Sequence, residues 1–304
     1  MNKKAYKPVL ADISTFDNRA TKYASYVSKL QQTRFVTGYS IIDEDIRGIG
    51  AGELMIIAAY SGTFKSAYLQ NMLMNYGKSS GQYALMFSLE MPDSKVFERE
   101  MQIANGAYGY QVENGVYNRT DTARGMANMA REHGGNKLLT VDRPKLTLSH
   151  VAEYICLAKE RYELGVVAVD YLGLLKGDHG RSSADLTEDM SNGAKELSKE
   201  VGLPIILLTQ INRAAARMQS EEGAEIEMHH LKYGGEAGAD IVLGLYRDPE
   251  KSLILKVLKN RGGSTGQQYK ADISAHALRF NGFEEYVVTK KDKKGKTVPE
   301  ELPY

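Results

Sequence analysis

Residues 59–66 read AYSGTFKS, and the fold turns on how these eight positions are understood. They approach the phosphate-loop pattern G-x-x-x-x-G-K-[ST]. Lys65 and Ser66 stand where the pattern needs them, but Ala59 replaces its first glycine and Phe64 its second. Gly62 retains part of the loop's freedom. Just before lies ELMIIAAY (53–60), a short apolar run of the kind that forms a strand buried on both faces. Just after, residues 65–78 read as a helix. A strand-to-helix turn is the setting in which backbone N–H groups and a helix N-terminus surround phosphates. Taken alone, the stretch fits a phosphate loop and an ordinary turn equally well.

Similar runs recur along the chain: QYALMFSLE (82–90), NKLLTVD (136–142), GVVAVDYLGLL (165–175) and LPIILLTQI (203–211). Helical patterns lie between them. The clearest is 183–201, with Leu186, Met190, Ala194, Leu197 and Val201 at spacings of three and four. Such alternation predicts an α/β fold with a mostly parallel sheet covered by helices. The runs at 240–248, 252–260, 266–274 and 275–282 are tightly connected and predict an antiparallel extension of that sheet. Three segments follow: an arm over 1–34 with a helix at 18–32 carrying Tyr23, Val27 and Leu30 on one side; a main domain over 35–287; and a solvated, flexible basic tail over 288–304 containing KKDKKGK.

Composition narrows the possible functions. Hydrophobic residues form 42% and charged residues 25% of 304, as in ordinary globular proteins. A net charge of +1 leaves any nucleic-acid binding to a local patch. The one cysteine, Cys156, excludes a disulfide framework and a cysteine-based zinc site. No apolar run reaches the roughly 20 residues of a membrane span, and the start has no signal-peptide core. A cytoplasmic location is the expectation. The adjacent His229 and His230 do not converge on a metal and read as loop residues.

Three more polar residues stand at strand ends. Asp170 closes VVAVD, where a carboxylate can hold Mg²⁺ through water. Glu90 follows the run in FSLEM, placed to orient an attacking water. Gln210 ends LLTQ and can sense a terminal phosphate. In an open α/β sheet the carboxyl ends of strands share one crevice, so these residues and Lys65 are expected to face one another.

FSLEMP, DYLGLL and TQINR, in this order, resemble the RecA-like P-loop motor domain of DnaB-family replicative helicases. The resemblance begins at TGYSIIDEDIRGIGAGELMIIAA (37–59), runs through GADIVLGLYRD and KVLKNRGGSTG, and covers about residues 35–282. It implies an ATP-dependent DNA helicase with Mg²⁺. Ser61, Gly62, Thr63, Phe64, Lys65 and Ser66 would cradle the nucleotide, and Ser66 and Asp170 would hold the metal. Glu90 would be the base and Gln210 the phosphate sensor. Lys259 and Arg261 would reach the ATP of a neighbouring subunit in a homo-oligomeric ring, usually a hexamer. Arg213, Arg217, Lys232, Gly234 and Gly235 would line a channel for single-stranded DNA. The arm 1–34 resembles the family's linker helix, and on this resemblance the family's helical amino-terminal domain, which recruits primase, is expected to be absent; a primase or loader would be a further partner. Phe64 departs from the pattern, because a ring before the lysine must swing outward or displace nucleotide. A second reading is therefore a DnaB-like assembly module that holds DNA or a partner with weak or no turnover. A recombinase-like filament shares the core but not FSLEM or the Lys-x-Arg pair.

Overall fold

The computed structural model describes residues 13–60, 62–170, 183–211, 225–231, 237–287, 289–291 and 297–299. The helices are α1 (Phe16–Thr33), α2 (Ser40–Ile46), α3 (Lys65–Ser80), α4 (Asp93–Asn105), α5 (Gly109–Tyr117), α6 (Asp121–Glu132), α7 (Leu148–Lys159) and α8 (Ser183–Val201). The first five strands are β1 (Leu54–Ala59), β2 (Tyr83–Ser88), β3 (Leu138–Val141), β4 (Leu164–Asp170) and β5 (Ile205–Gln210). Then come β6 (Ile241–Arg247), β7 (Leu253–Asn260), β8 (Gln268–Ser274) and β9 (Arg279–Glu285). These nine form one sheet in the order β3-β2-β4-β5-β1-β6-β7-β8-β9. The first six in that order run parallel, and β7, β8 and β9 turn back antiparallel.

Alternation along each central strand divides the core in two. Met55, Ile57 and Ala59 of β1 face a cluster with Ile42, Tyr68, Leu73, Met86 and Leu208. Leu54, Ile56 and Ala58 face the opposite cluster, with Phe87, Val151, Ile155, Leu197 and Leu207. Both faces of β1 and β4 are buried throughout, hence their unbroken apolar runs. Each fully buried Ile or Leu contributes roughly 1.5–3 kcal/mol. Gly244 in β6 admits Ile226, whose atoms lie 2.9 Å from where a Cβ would stand. A third, smaller cluster joins α4, α5 and α6 through Met101, Ile103, Val112 and Ala130.

Two expectations shift. The run at 275–282 does not form one strand: Ala275–Ala277 is a 3-10 turn, Leu278 takes φ +54°, and β9 begins at Arg279. Asn71 of α3 fixes this turn, donating to the Leu278 carbonyl and accepting from Phe280 N–H. On α1, capped by Thr15, Leu30 is buried against Gly50, while Val27 is half-buried and Tyr23 is 66% exposed. Within 288–304, β10 (Thr289–Lys291) and β11 (Thr297–Pro299) pair antiparallel; the rest of the expected tail, including DKKGK (292–296), lies outside the described residues.

Candidate nucleotide site

The parallel order of β2, β4, β5 and β1 brings their carboxyl ends to one edge of the sheet. There, Tyr60, Gly62, Thr63, Phe64, Lys65, Ser66, Glu90, Arg99 and Gln210 line a cleft of about 220 Å³, closed on one side by Leu278. Register explains the convergence: Ala59 pairs with Gln210, and Ser88 with Asp170. Leu89 N–H donates to the Asp170 carbonyl at 2.8 Å, which seats Glu90 beside that strand end. The cleft is smaller than the roughly 300 Å³ at which small-molecule pockets begin, room for a phosphate chain but not for a whole nucleotide.

Two described residues of the loop, Gly62 and Phe64, take left-handed backbone although neither of the pattern's two glycines is present. Gly62 has φ +81° with open space at its Cβ position. Phe64 takes φ +60°, ψ +19° and caps α3, so a phenylalanine holds the left-handed conformation in which the pattern places glycine. Such a residue costs about 1 kcal/mol. Its ring is half-buried, packs against the main core cluster and lies beneath the Arg247 guanidinium, 5.5 Å from the ring centroid. Thr63 closes the turn, donating to the Tyr60 carbonyl at 2.5 Å.

Charge in the cleft is poised and incompletely paired. Burial pulls the Lys65 pKa down, and Asp170 and then Glu90 oppose it. Asp170 is wholly buried, and burial raises its pKa against the lowering influence of Ser66 and Lys65. Neither Asp170 oxygen has a partner of ordinary hydrogen-bond geometry among the described residues. A buried carboxylate so sparsely hydrogen-bonded is expensive. A hydrated Mg²⁺ between Asp170 and Ser66 would satisfy it, so the residues present fit that ion.

Arg99 escaped the sequence reading. It lies on α4, three residues after the buried Val96, and so on the inward stripe of that helix. It donates to the Met91 sulfur at 3.1 Å, while its second terminal nitrogen is buried without a partner. Burial lowers its pKa, and Asp170 and Glu90 pull it back up. The hydroxyl of Tyr60, also lining the cleft, is likewise buried and unpaired. Unmet donors around a lysine-bearing loop suit an anion with several acceptor oxygens. An arginine at an inward helix position was the available signal.

Lys259 and Arg261 stand elsewhere. Because β7 runs against β6, Lys259 pairs with Val242 at the start of β6, whereas Leu245, toward its end, pairs with Ala59 beside the cleft. Val242 to Leu245 is three steps, roughly 10 Å of strand, before the loop is reached. Both side chains meet at one carbonyl: Lys259 Nζ donates to Ala237 at 3.3 Å and Arg261 Nη2 at 3.1 Å. Arg261 also pairs with Asp240 at 3.2 Å and is about half exposed. Asp240 further accepts from Leu54 N–H and from Lys195 at 2.5 Å.

Ser61, Arg213, Arg217, Lys232, Gly234 and Gly235 lie outside the described residues. Between them, segment 225–231 is firmly held. Ile226 is buried and Leu231 bridges to Ile211. Lys256 of β7 binds Glu225 at 2.8 Å and Glu227 at 2.6 Å. No helix among the described residues is long and apolar enough to cross a membrane.

Comparison with known proteins agrees with this geometry. The profile of the DnaB-like helicase C-terminal domain matches residues 35–281. The replicative DNA helicase DnaC of Bacillus subtilis is 27% identical over 248 residues, 77% of this chain and 53% of that protein. The replicative DNA helicase DnaB of Treponema pallidum is 28% identical over 287 residues, 91% of this chain and 61% of its own length. The chain thus spans little more than half of these relatives. Among solved structures, an isolated ATPase domain superposes with a TM-score of 0.78 at 19% identity, covering 90% of this chain and all of that one. A DnaB-like replicative helicase studied for its interactions with primase superposes at 0.75, also at 19% identity, over 90% of this chain and 68% of that one.

Proposed function

The chain belongs to the DnaB-like helicase C-terminal domain family, and from that premise we propose that it is an ATP-hydrolysing motor that assembles into a ring, moves along single-stranded DNA and unwinds duplex. One observation carries the reading. A cleft gathers Lys65, Ser66, Glu90, Arg99 and Gln210 beside Asp170, while Lys259 and Arg261 are carried away from it.

The roles follow from position. Backbone N–H groups at the start of α3, with Lys65 and Arg99, bind the phosphates. Glu90 accepts the proton of the attacking water, and Gln210 contacts the terminal phosphate. Ser66 and Asp170 would hold Mg²⁺, which when bound neutralises phosphate charge. Lys259 and Arg261 complete the cleft of a neighbouring copy, a contribution worth on the order of 10³–10⁵ in rate. The exposed Phe16 and Tyr23 of α1 dock on that neighbour. Arg213, Arg217, Lys232, Gly234 and Gly235 track the DNA backbone without reading sequence, and a primase or loader is the further partner.

Phe64 favours one alternative, an assembly module with little turnover. ATPase assays with and without single-stranded DNA decide between them. The motor reading expects DNA-stimulated turnover that Glu90→Gln and Arg261→Ala each abolish. Mixing the two inactive variants restores some activity, because some interfaces then pair an intact Glu90 with an intact Arg261. Absence of stimulated turnover in the wild type refutes the motor. An Arg261→Ala variant indistinguishable from wild type refutes action across the interface.

A further inference from the structure

A second cleft, of about 450 Å³, opens between α4, α6 and the edge strand β3. Its walls include Phe97, Ala127, Ala130 and Leu138, with Asp93 and Arg131 also lining it. Facing into it is Glu100, only 7% exposed. The α4 face on which Glu100 sits carries Val96, Ile103 and Ala104, all buried, so an apolar residue is what packing alone would select there. No hydrogen bond or ion pair reaches Glu100 among the described residues. Gly135 leaves room for its carboxylate: a Cβ there would stand 2.8 Å from Glu100 Oε2 and equally close to the Ala130 carbonyl oxygen. Two acceptors therefore converge on space that the glycine keeps open.

We infer that this cleft is a binding site for an organic monocation, a guanidinium or ammonium on an apolar stem, with Glu100 as its counter-ion. A buried unpaired carboxylate is costly, and a charged donor offsets that cost. An anion is excluded by Glu100 itself. A metal ion lacks ligands, since no group of three suitable side chains occurs among the described residues. The apolar walls suit a hydrocarbon stem. Arg131, which also lines the cleft, disfavours a second positive charge, which sets a monocation or a zwitterion above a polyamine. The charged groups lining the cleft are Glu100 and Asp93 from α4 and Arg131 from α6, with none from β3. Burial, and then Asp93, raise the Glu100 pKa to about 7, so the ligand competes with a proton.

The test is a titration of the full chain, carbon-13 labelled at alanine and leucine methyls, with free L-arginine and with Nα-acetyl-arginine N-methylamide. Shifts are expected at Ala127, Ala130 and Leu138. Binding at pH 6 is about tenfold weaker than at pH 8. Glu100→Gln weakens it about 10- to 100-fold, and Gly135→Ala, which fills the space beside the carboxylate, does the same. Tighter binding of free arginine points to a small-molecule source; tighter binding of the blocked form points to a side chain of another protein. Butylurea, the uncharged counterpart, is expected to leave the methyls unmoved. The inference is overturned if neither arginine form perturbs these methyls at pH 8, if butylurea binds as well, or if Glu100→Gln binds like wild type.

Discussion

Replacing Phe64 by alanine and, separately, by glycine resolves two energies that the wild-type loop combines. Both changes remove the ring. A fully buried phenylalanine contributes roughly 1.5–3 kcal/mol; Phe64 is half-buried, so about 1–1.5 kcal/mol is lost. The Arg247 contact at 5.5 Å adds about 0.5–1 kcal/mol. Alanine therefore costs about 2 kcal/mol. Glycine loses the same contacts but recovers about 1 kcal/mol, because φ +60° no longer opposes a Cβ. Urea unfolding should place Phe64→Gly about 1 kcal/mol above Phe64→Ala. Since the ring leans toward Arg247 and the core, ATP affinity, read with a fluorescent analogue, should stay within about threefold of wild type in both variants. Tenfold tighter binding in both would mean that the ring occludes the phosphates, contrary to this argument. Equal stability of the two variants would refute the strain assigned to the backbone.

Other perturbations test the surrounding structure. Glu100 ionises near 4.5 when unfolded and near 7 when folded, so its contribution to stability is fully present below pH 4.5 and lost as pH rises through 7. The difference amounts to about 3 kcal/mol; Glu100→Gln should flatten that part of the stability–pH curve and unfold later than wild type at pH 8 in thermal melts. Asp240→Ala strands Lys195 and the Leu54 N–H, a loss of about 3 kcal/mol, visible as a Tm lower by roughly 5–10 °C; an unchanged Tm would refute the hub. Lys256→Met leaves Glu225 and Glu227 facing one another without a counter-ion, a cost of about 2 kcal/mol in urea unfolding, while Lys256→Arg should restore most of it.

The sheet was legible because its central strands are buried on both faces, and unbroken apolar runs such as GVVAVD have few other interpretations. The cleft was legible where polar residues stand at strand ends, since Glu90 and Gln210 follow from topology once a parallel sheet is granted. Arg99 and Glu100 were not. Both lie within a helix whose other buried positions are mostly apolar, and only packed coordinates reveal that one turns to the cleft at the strand ends and the other away. Lys256 was hidden for a similar reason: a lysine in an edge-side strand reads as solvated until Glu225 and Glu227 are brought over it from thirty residues away in sequence. The turn before β9 depends on Asn71, a partner more than two hundred residues distant, which local pattern cannot supply.

The reversal of β7 has a consequence for stoichiometry. If Lys259 and Arg261 act on a neighbouring copy as proposed, it gives each chain a face that receives a basic pair and a separate face that supplies one. Contacts made through two different faces are heterologous, and such contacts either close into a ring or extend as a helix. In a closed assembly every cleft is complete, whereas an open one leaves a terminal cleft unserved. Turnover per subunit would then count the gaps, rising in a step when the last interface forms. A subunit added at low concentration would contribute less activity than one that closes the circle, so the rate itself reports whether a track has been encircled.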